Sequence, residues 1–241
     1  MTQADPRPAP KGKRAGFPVG LTLAALILFV GLCALGVWQV ERLEWKRDLI
    51  ARVDARIHAA PVPAPQSATQ ADEYRRVFAT GTFLHDKAAL VQASTVRGAG
   101  YWVLTPLRRP DGAILLINRG FVPPDAKARY DRPQGVVRVT GLLRLTEPGG
   151  GFLRSNDPAA DRWYSRDVAA IAAARRLVPV AGYFIDAQAG PAPDALPVGG
   201  LTVVSFPNNH LQYAITWFIL AAMVAGAYSL VMRQSGKDRR G

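Results

Sequence analysis

FPVGLTLAALILFVGLCALGVWQV, Phe17–Val40, contains no charged residue. Wound as an α-helix it reaches about 36 Å, against a membrane hydrocarbon core of about 30 Å. A second uncharged stretch, LQYAITWFILAAMVAGAYSLVM (Leu211–Met232), reaches about 33 Å on the same geometry. A cleavable signal peptide is the rival reading of the first stretch. Its apolar run is ordinarily about 7–15 residues long and ends at a small-x-small site. Here the run is longer and continues directly into WQVERLEWKRDLIARVDARI. The expectation is therefore two transmembrane helices, residues 17–40 and 207–232, flanking a domain of residues 41–206.

Charge sets the orientation. The chain of 241 residues carries a formal net charge of +12. Residues 1–16 hold Arg7, Lys11, Lys13 and Arg14 against Asp5, and residues 233–241 hold Arg233, Lys237, Arg239 and Arg240 against Asp238. Basic tails outside both apolar stretches expect both termini in the cytoplasm and the middle exported, to the periplasm of a bacterium. The partner they suit is an anionic lipid surface; nucleic acid is not expected. The charges of the middle region read as a solvated surface. Cys33 is the one cysteine, which excludes an intrachain disulfide and any thiol-based metal cluster.

Between the apolar stretches the period changes. Trp38, Arg42, Trp45 and Leu49 recur at helical spacing, so the first helix is expected to continue to about Ala59, where Pro61–Pro65 stops it. RRVFATGTFL, ALVQASTV, YWVLTPLRR, AILLINRGFV and VVRVTGLLRL follow, rich in branched and aromatic residues and separated by turn signals such as Asp111-Gly112. They predict an antiparallel sheet. Arg166–Leu177 predicts one helix, and GYFIDAQ and LTVVSF two late strands joined by a loop. The fold class is thus a membrane protein whose two helices flank an α+β domain built mainly on an antiparallel sheet.

No hydrolase, metalloprotease, phosphate-loop or dinucleotide motif is present in its required context, so no enzyme is expected. Of the three histidines, His58 reads as a helix-end residue and His85 as a hairpin-loop residue. His210, in NNHLQYAITWF, stands at the edge of the second apolar stretch. On a helix His210, Tyr213 and Trp217 share a face, and an antiparallel hairpin sets Trp38 and Arg42 at similar depth. Two readings follow. Aromatic residues and arginine form interfacial belts, with Asn208-Asn209 capping the helix. Alternatively, imidazole, rings and guanidinium suit a flat amphipathic ligand with a metal and anionic arms. In Asn118-Arg119-Gly120, Gly120 reads as a backbone requirement. Arg119 reads as a contact to a partner or propionate, or as half of an ion pair inside the domain.

LGVWQVERLEWKRDLI (Leu35–Ile50), GTFLHDKAALV (Gly81–Val91), GYWVLTPL (Gly100–Leu107), LLINRGFVP (Leu115–Pro123) and NNHLQYAITWF (Asn208–Phe218) together resemble the successive signatures of the Surfeit locus protein 1 family. Phe121 stands where that family often has Trp. The resemblance implies an assembly factor for cytochrome c oxidase in the bacterial inner membrane that binds haem a transiently and delivers it to subunit I. A cofactor-free scaffold for subunit I is the alternative. The resemblance implies His210 as the haem-linked residue, here expected as the iron's axial ligand; on the hairpin reading above, Trp38, Tyr213 and Trp217 are expected to pack the macrocycle and Arg42 to meet a propionate. Haem a synthase is a further candidate partner. The motifs leave oligomeric state and the second axial ligand open.

Overall fold

The structure is a computed structural model that describes residues 19–151, 153–192, 195–204 and 206–237. The basic tail of residues 1–16 and the end of the second tail, residues 238–241, lie outside the described residues. The chain divides into two compact units. One comprises the described residues up to Asp48 with those from Pro207 onward, the other Leu49–Phe206.

The first unit is a helix hairpin. Helix α1 runs Val19–His58 and helix α3 runs His210–Lys237. Both are long and apolar enough to cross a membrane, which fits a two-span membrane protein. Leu21, Ile27, Leu28, Ile219, Met223 and Leu230 are all exposed. Exposure around the whole circumference of apolar helices suits a lipid surrounding. The two helices meet at Gly36, where an added Cβ would come within 2.7 Å of the Phe218 ring. A small residue here lets the helices approach closely. Near the other end of the hairpin the hydroxyls of Thr22 and Tyr228 lie 2.9 Å apart.

At forty residues, α1 is about 60 Å long and continues without a break past its apolar segment. It ends where His58 Nδ1 donates to the Asp54 carbonyl (2.9 Å), just before Pro61. The second unit then folds as a barrel. Its strands are β1 (Val62–Pro63), β2 (Arg76–Phe83), β3 (Ala89–Thr95), β4 (Gly98–Arg108), β5 (Ile114–Val122), β6 (Val136–Leu145), β7 (Gly150–Gly151), β8 (Arg154–Ser155) and β9 (Val180–Ala187). Strands β2, β6, β9, β5 and β4 form a ring closed by the pairs Thr82↔Arg108 and Phe83↔Leu107. The sheet is mainly antiparallel, as expected, but β5–β9 and β1–β2 are parallel.

Strand alternation supplies two cores. Val77, Ala79, Leu107, Leu115, Ile117, Leu143, Tyr183 and Ile185 form one cluster. Leu104, Ile114, Leu116 and Phe184 face the other way and pack with Trp163 and with α2 (Val168–Arg175) through Val168 and Ile171. Because β5 is covered on both faces, its sequence reads as a continuous apolar run. Asp167 caps α2 by accepting from Ala170 N (3.0 Å), and Arg176 ends it in the left-handed conformation.

One expected strand is absent. Residues 201–204 of LTVVSF form no strand, and Val203 is 76 % exposed. The ring leaves no open edge beside β5 or β9, so alternation alone could not make this segment a strand. Val198, in the preceding loop, forms a bridge to Phe121.

Candidate functional site

The hairpin end is built from the start of α3. The Asn209 carbonyl accepts from Tyr213 N (3.2 Å), which makes Asn209 the residue flanking the helix and leaves His210 in its first turn. His210 Nδ1 lies 2.7 Å from Gln39 Oε1 on α1, with both side chains half-buried. Trp38, beside Gln39, is 50 % exposed, and Tyr213, one turn after His210, is 54 % exposed. Trp217 is half-buried and its Nε1 has no hydrogen-bond partner. Arg42 is exposed, with its guanidinium 4.6 Å from the centre of the Trp45 ring.

The expected residues therefore gather on the α1–α3 hairpin, but the direct bond is to a residue not singled out from the sequence. Among the described residues, no hydrogen bond, ion pair or ring contact joins His210 to Trp38, Arg42, Tyr213 or Trp217. Gln39 makes that link. It is the one amide in Phe17–Val40, and a lone amide in an apolar segment at the depth of a histidine was the available signal. Among the described residues no group of three or more His, Cys, Asp or Glu side chains could hold a metal ion.

In the barrel, Asn118-Arg119-Gly120 occupies β5. Asn118 Nδ2 donates to Asp186 Oδ1 (2.7 Å), and Gly120 N donates back to Asn118 Oδ1 (3.2 Å). Asp186, on β9, is 4 % exposed. It also accepts from Arg166 Nη1 (3.0 Å), Arg144 Nη1 (3.1 Å) and Thr202 Oγ1 (3.0 Å). Glu147 accepts from Arg166 Nε (2.9 Å) and pairs with Arg144 (3.4 Å), while Glu73 pairs with Arg144 (3.4 Å). Burial works against the charge on Arg166, but hydrogen bonds and charges from Glu147 and Asp186 outweigh it and hold the guanidinium above its ordinary pKa. This network borders a cavity of about 250 Å³ that Trp102 also lines.

Gly120 and Arg119 have separate surroundings. Gly120 has φ +130°, and an added Cβ would meet the Val198 carbonyl oxygen at 2.2 Å, so its reading as a backbone requirement has a direct geometric cause. Arg119 makes no ion pair among the described residues. Its guanidinium lies 5.0 Å from the Phe83 ring and 5.9 Å from the Tyr130 ring, and Nη1 is buried without an acceptor. Burial draws it below the ordinary arginine range, opposed by the charge of Asp131. His85 donates from Nε2 to the Pro133 carbonyl (2.9 Å) and so ties its turn to the segment before β6.

The SURF1 family model matches residues 26–222, from within α1 to within α3. A SURF1-like protein of Monosiga brevicollis is 36 % identical, over 97 % of this chain and 94 % of its own length. Surfeit locus protein 1 of Homo sapiens is 35 % identical, over 82 % of this chain and 72 % of its own, and that of Rattus norvegicus 37 %, over 81 % and 71 %. The match takes in both helices, the barrel and the segment bearing His210; this chain belongs to the SURF1 family.

Proposed function

We propose that this chain is a membrane assembly factor for cytochrome c oxidase, one that holds haem a transiently and passes it to subunit I. The supporting observation is His210, half-buried at the end of an apolar helix hairpin with Nδ1 already engaged by Gln39. An imidazole bonded through one nitrogen is oriented for ligation through the other. The neighbouring residues fit the rest of such a ligand. Trp38 and Tyr213 offer exposed rings, Trp217 offers a half-buried one, and Arg42 is an exposed cation on the adjacent turn of α1.

When bound, haem a would supply a redox-active iron that imidazole can ligate. His210 would hold the iron through Nε2, Trp38, Tyr213 and Trp217 would cover the apolar macrocycle, and Arg42 would pair with a propionate. Exposure of most of this set to the surroundings suits a ligand that must be given up. The basic tails support an orientation with both termini in the cytoplasm of a bacterium and the barrel outside the inner membrane. Subunit I is the receiving partner, and haem a synthase is a candidate donor.

The test is purification of the full chain from cells that make haem a, beside His210→Ala and Trp217→Ala, each normalised to protein in the membrane. The wild type should carry a Soret band, the histidine variant should lose it or shift it, and the tryptophan variant should retain less haem with an unshifted band. A His210→Ala protein with wild-type haem content and spectrum overturns the ligand assignment. A wild type without haem, in cells whose oxidase assembly depends on it, favours a cofactor-free scaffold for subunit I.

A further inference from the structure

The geometry points to Gln39 as a positioning residue that selects the tautomer of His210. An imidazole has two neutral forms, and only the nitrogen without a proton can ligate a metal. In the contact at 2.7 Å, the atom of Gln39 facing His210 Nδ1 is the side-chain carbonyl oxygen. A carbonyl oxygen only accepts, so Nδ1 carries the proton and Nε2 presents its lone pair. If the Gln39 amide were reversed, its NH2 would donate to Nδ1, the proton would sit on Nε2, and ligation through Nε2 would be blocked.

The setting makes this choice consequential. Gln39 lies at the edge of an uncharged membrane-length segment, and both side chains are half-buried. With little water at hand, each side chain depends on the other for a partner, and the bond between them is strengthened by the apolar surroundings. Helix α1 holds Gln39 from one side, and the first turn of α3 holds His210 from the other. The close approach at Gly36 and Phe218 keeps the two helices near enough for the bond. Orientation of a metal-ligating histidine by a bond to its second nitrogen typically contributes about 10- to 100-fold in metal affinity. The tautomer rests on the Gln39 amide oxygen facing His210 Nδ1; its use for haem rests on the proposed function above.

Nitrogen-15 NMR of histidine-labelled full-length chain in phospholipid nanodiscs, haem-free and at mildly alkaline pH, reads the tautomer directly. With only His58, His85 and His210 in the chain, the His210 signals are those lost in His210→Ala. The expected result is a protonated Nδ1 and a bare Nε2 in the wild type. Gln39→Leu should shift His210 toward the Nε2–H form, and Gln39→Glu, whose carboxylate also accepts, should preserve the wild-type pattern. Haem titration of the same samples should show about a 10- to 100-fold loss of affinity in Gln39→Leu. A wild type protonated on Nε2 overturns the inference even if the leucine variant fails to insert. So does a Gln39→Leu protein that binds haem as the wild type does. If no sample binds haem while the wild-type tautomer is as stated, the tautomer assignment stands and the haem reading fails.

Discussion

Asn118 donates to Asp186 across the parallel pair β5–β9 at 2.7 Å, and Arg144 and Arg166 close on the same carboxylate from β6 and from the segment before α2. The residue next to Arg119 thus anchors a buried charge network, and the motif Asn118-Arg119-Gly120 splits into three tasks. Asn118 bonds to the network, Arg119 lies against aromatic rings, and Gly120 permits the approach of the Val198 backbone.

Breaking that network from its centre should unfold the barrel. Asp186→Ala leaves two largely buried guanidiniums short of a partner and is expected to cost about 3–5 kcal/mol. Asn118→Ala removes one bond to the same carboxylate and should cost less, about 1–3 kcal/mol. Denaturant unfolding of the full chain in detergent, followed by tryptophan fluorescence, gives the order. A smaller loss for Asp186→Ala than for Asn118→Ala contradicts the centrality of Asp186.

Gly120→Val should destabilise the same barrel by about 2–5 kcal/mol, combining an unfavourable positive φ with overpacking against Val198. Protease resistance of the barrel is the readout. Wild-type resistance with failed oxidase assembly would make Gly120 a contact position instead.

Alkaline pH should weaken the barrel through Tyr183. Burial raises its pKa to about 12, opposed by Arg109 and aided by the charge of Asp72, while its hydroxyl donates to the Pro65 carbonyl. A pKa raised on folding contributes stability that is complete below the unfolded value, about 10, and disappears as pH climbs through the folded one. The contribution is on the order of 2 kcal/mol, lost between about pH 10 and 12. Tyr183→Phe should lose less stability than the wild type across that window; parallel pH profiles for the two proteins would refute the assignment.

The basic tails predict an orientation in the membrane. A reporter that is active only in the cytoplasm, fused after Gly241, should be active because basic flanks are retained on the cytoplasmic side. Full-length fusion protein with an inactive reporter would invert the topology.

Both helices of the hairpin are legible in sequence, since an uncharged run of membrane length is a property of one element and its solvent. The alternation in RRVFATGTFL and VVRVTGLLRL likewise reports one strand's two faces, and β2 and β6 lie on those residues. His210 was conspicuous for the same reason, as a polar residue at the border of an apolar run. Its bond to Gln39 was not, because a contact between residues 171 positions apart depends on how α1 and α3 pack.

Tertiary structure alone decided ring closure through Thr82↔Arg108 and Phe83↔Leu107, the parallel seam between β5 and β9, and the exclusion of residues 201–204 from the sheet. It also decided which charges are structural, since Asp186, Arg166 and the neighbouring Arg144 and Glu147 come from three segments far apart in sequence. Sequence by itself determined the two apolar helices, most of the strands and the place of His210, because hydropathy and period act within a single element. Strand partners and buried ion pairs depend on which distant groups can jointly lose their water, and that condition is met only once the barrel has closed.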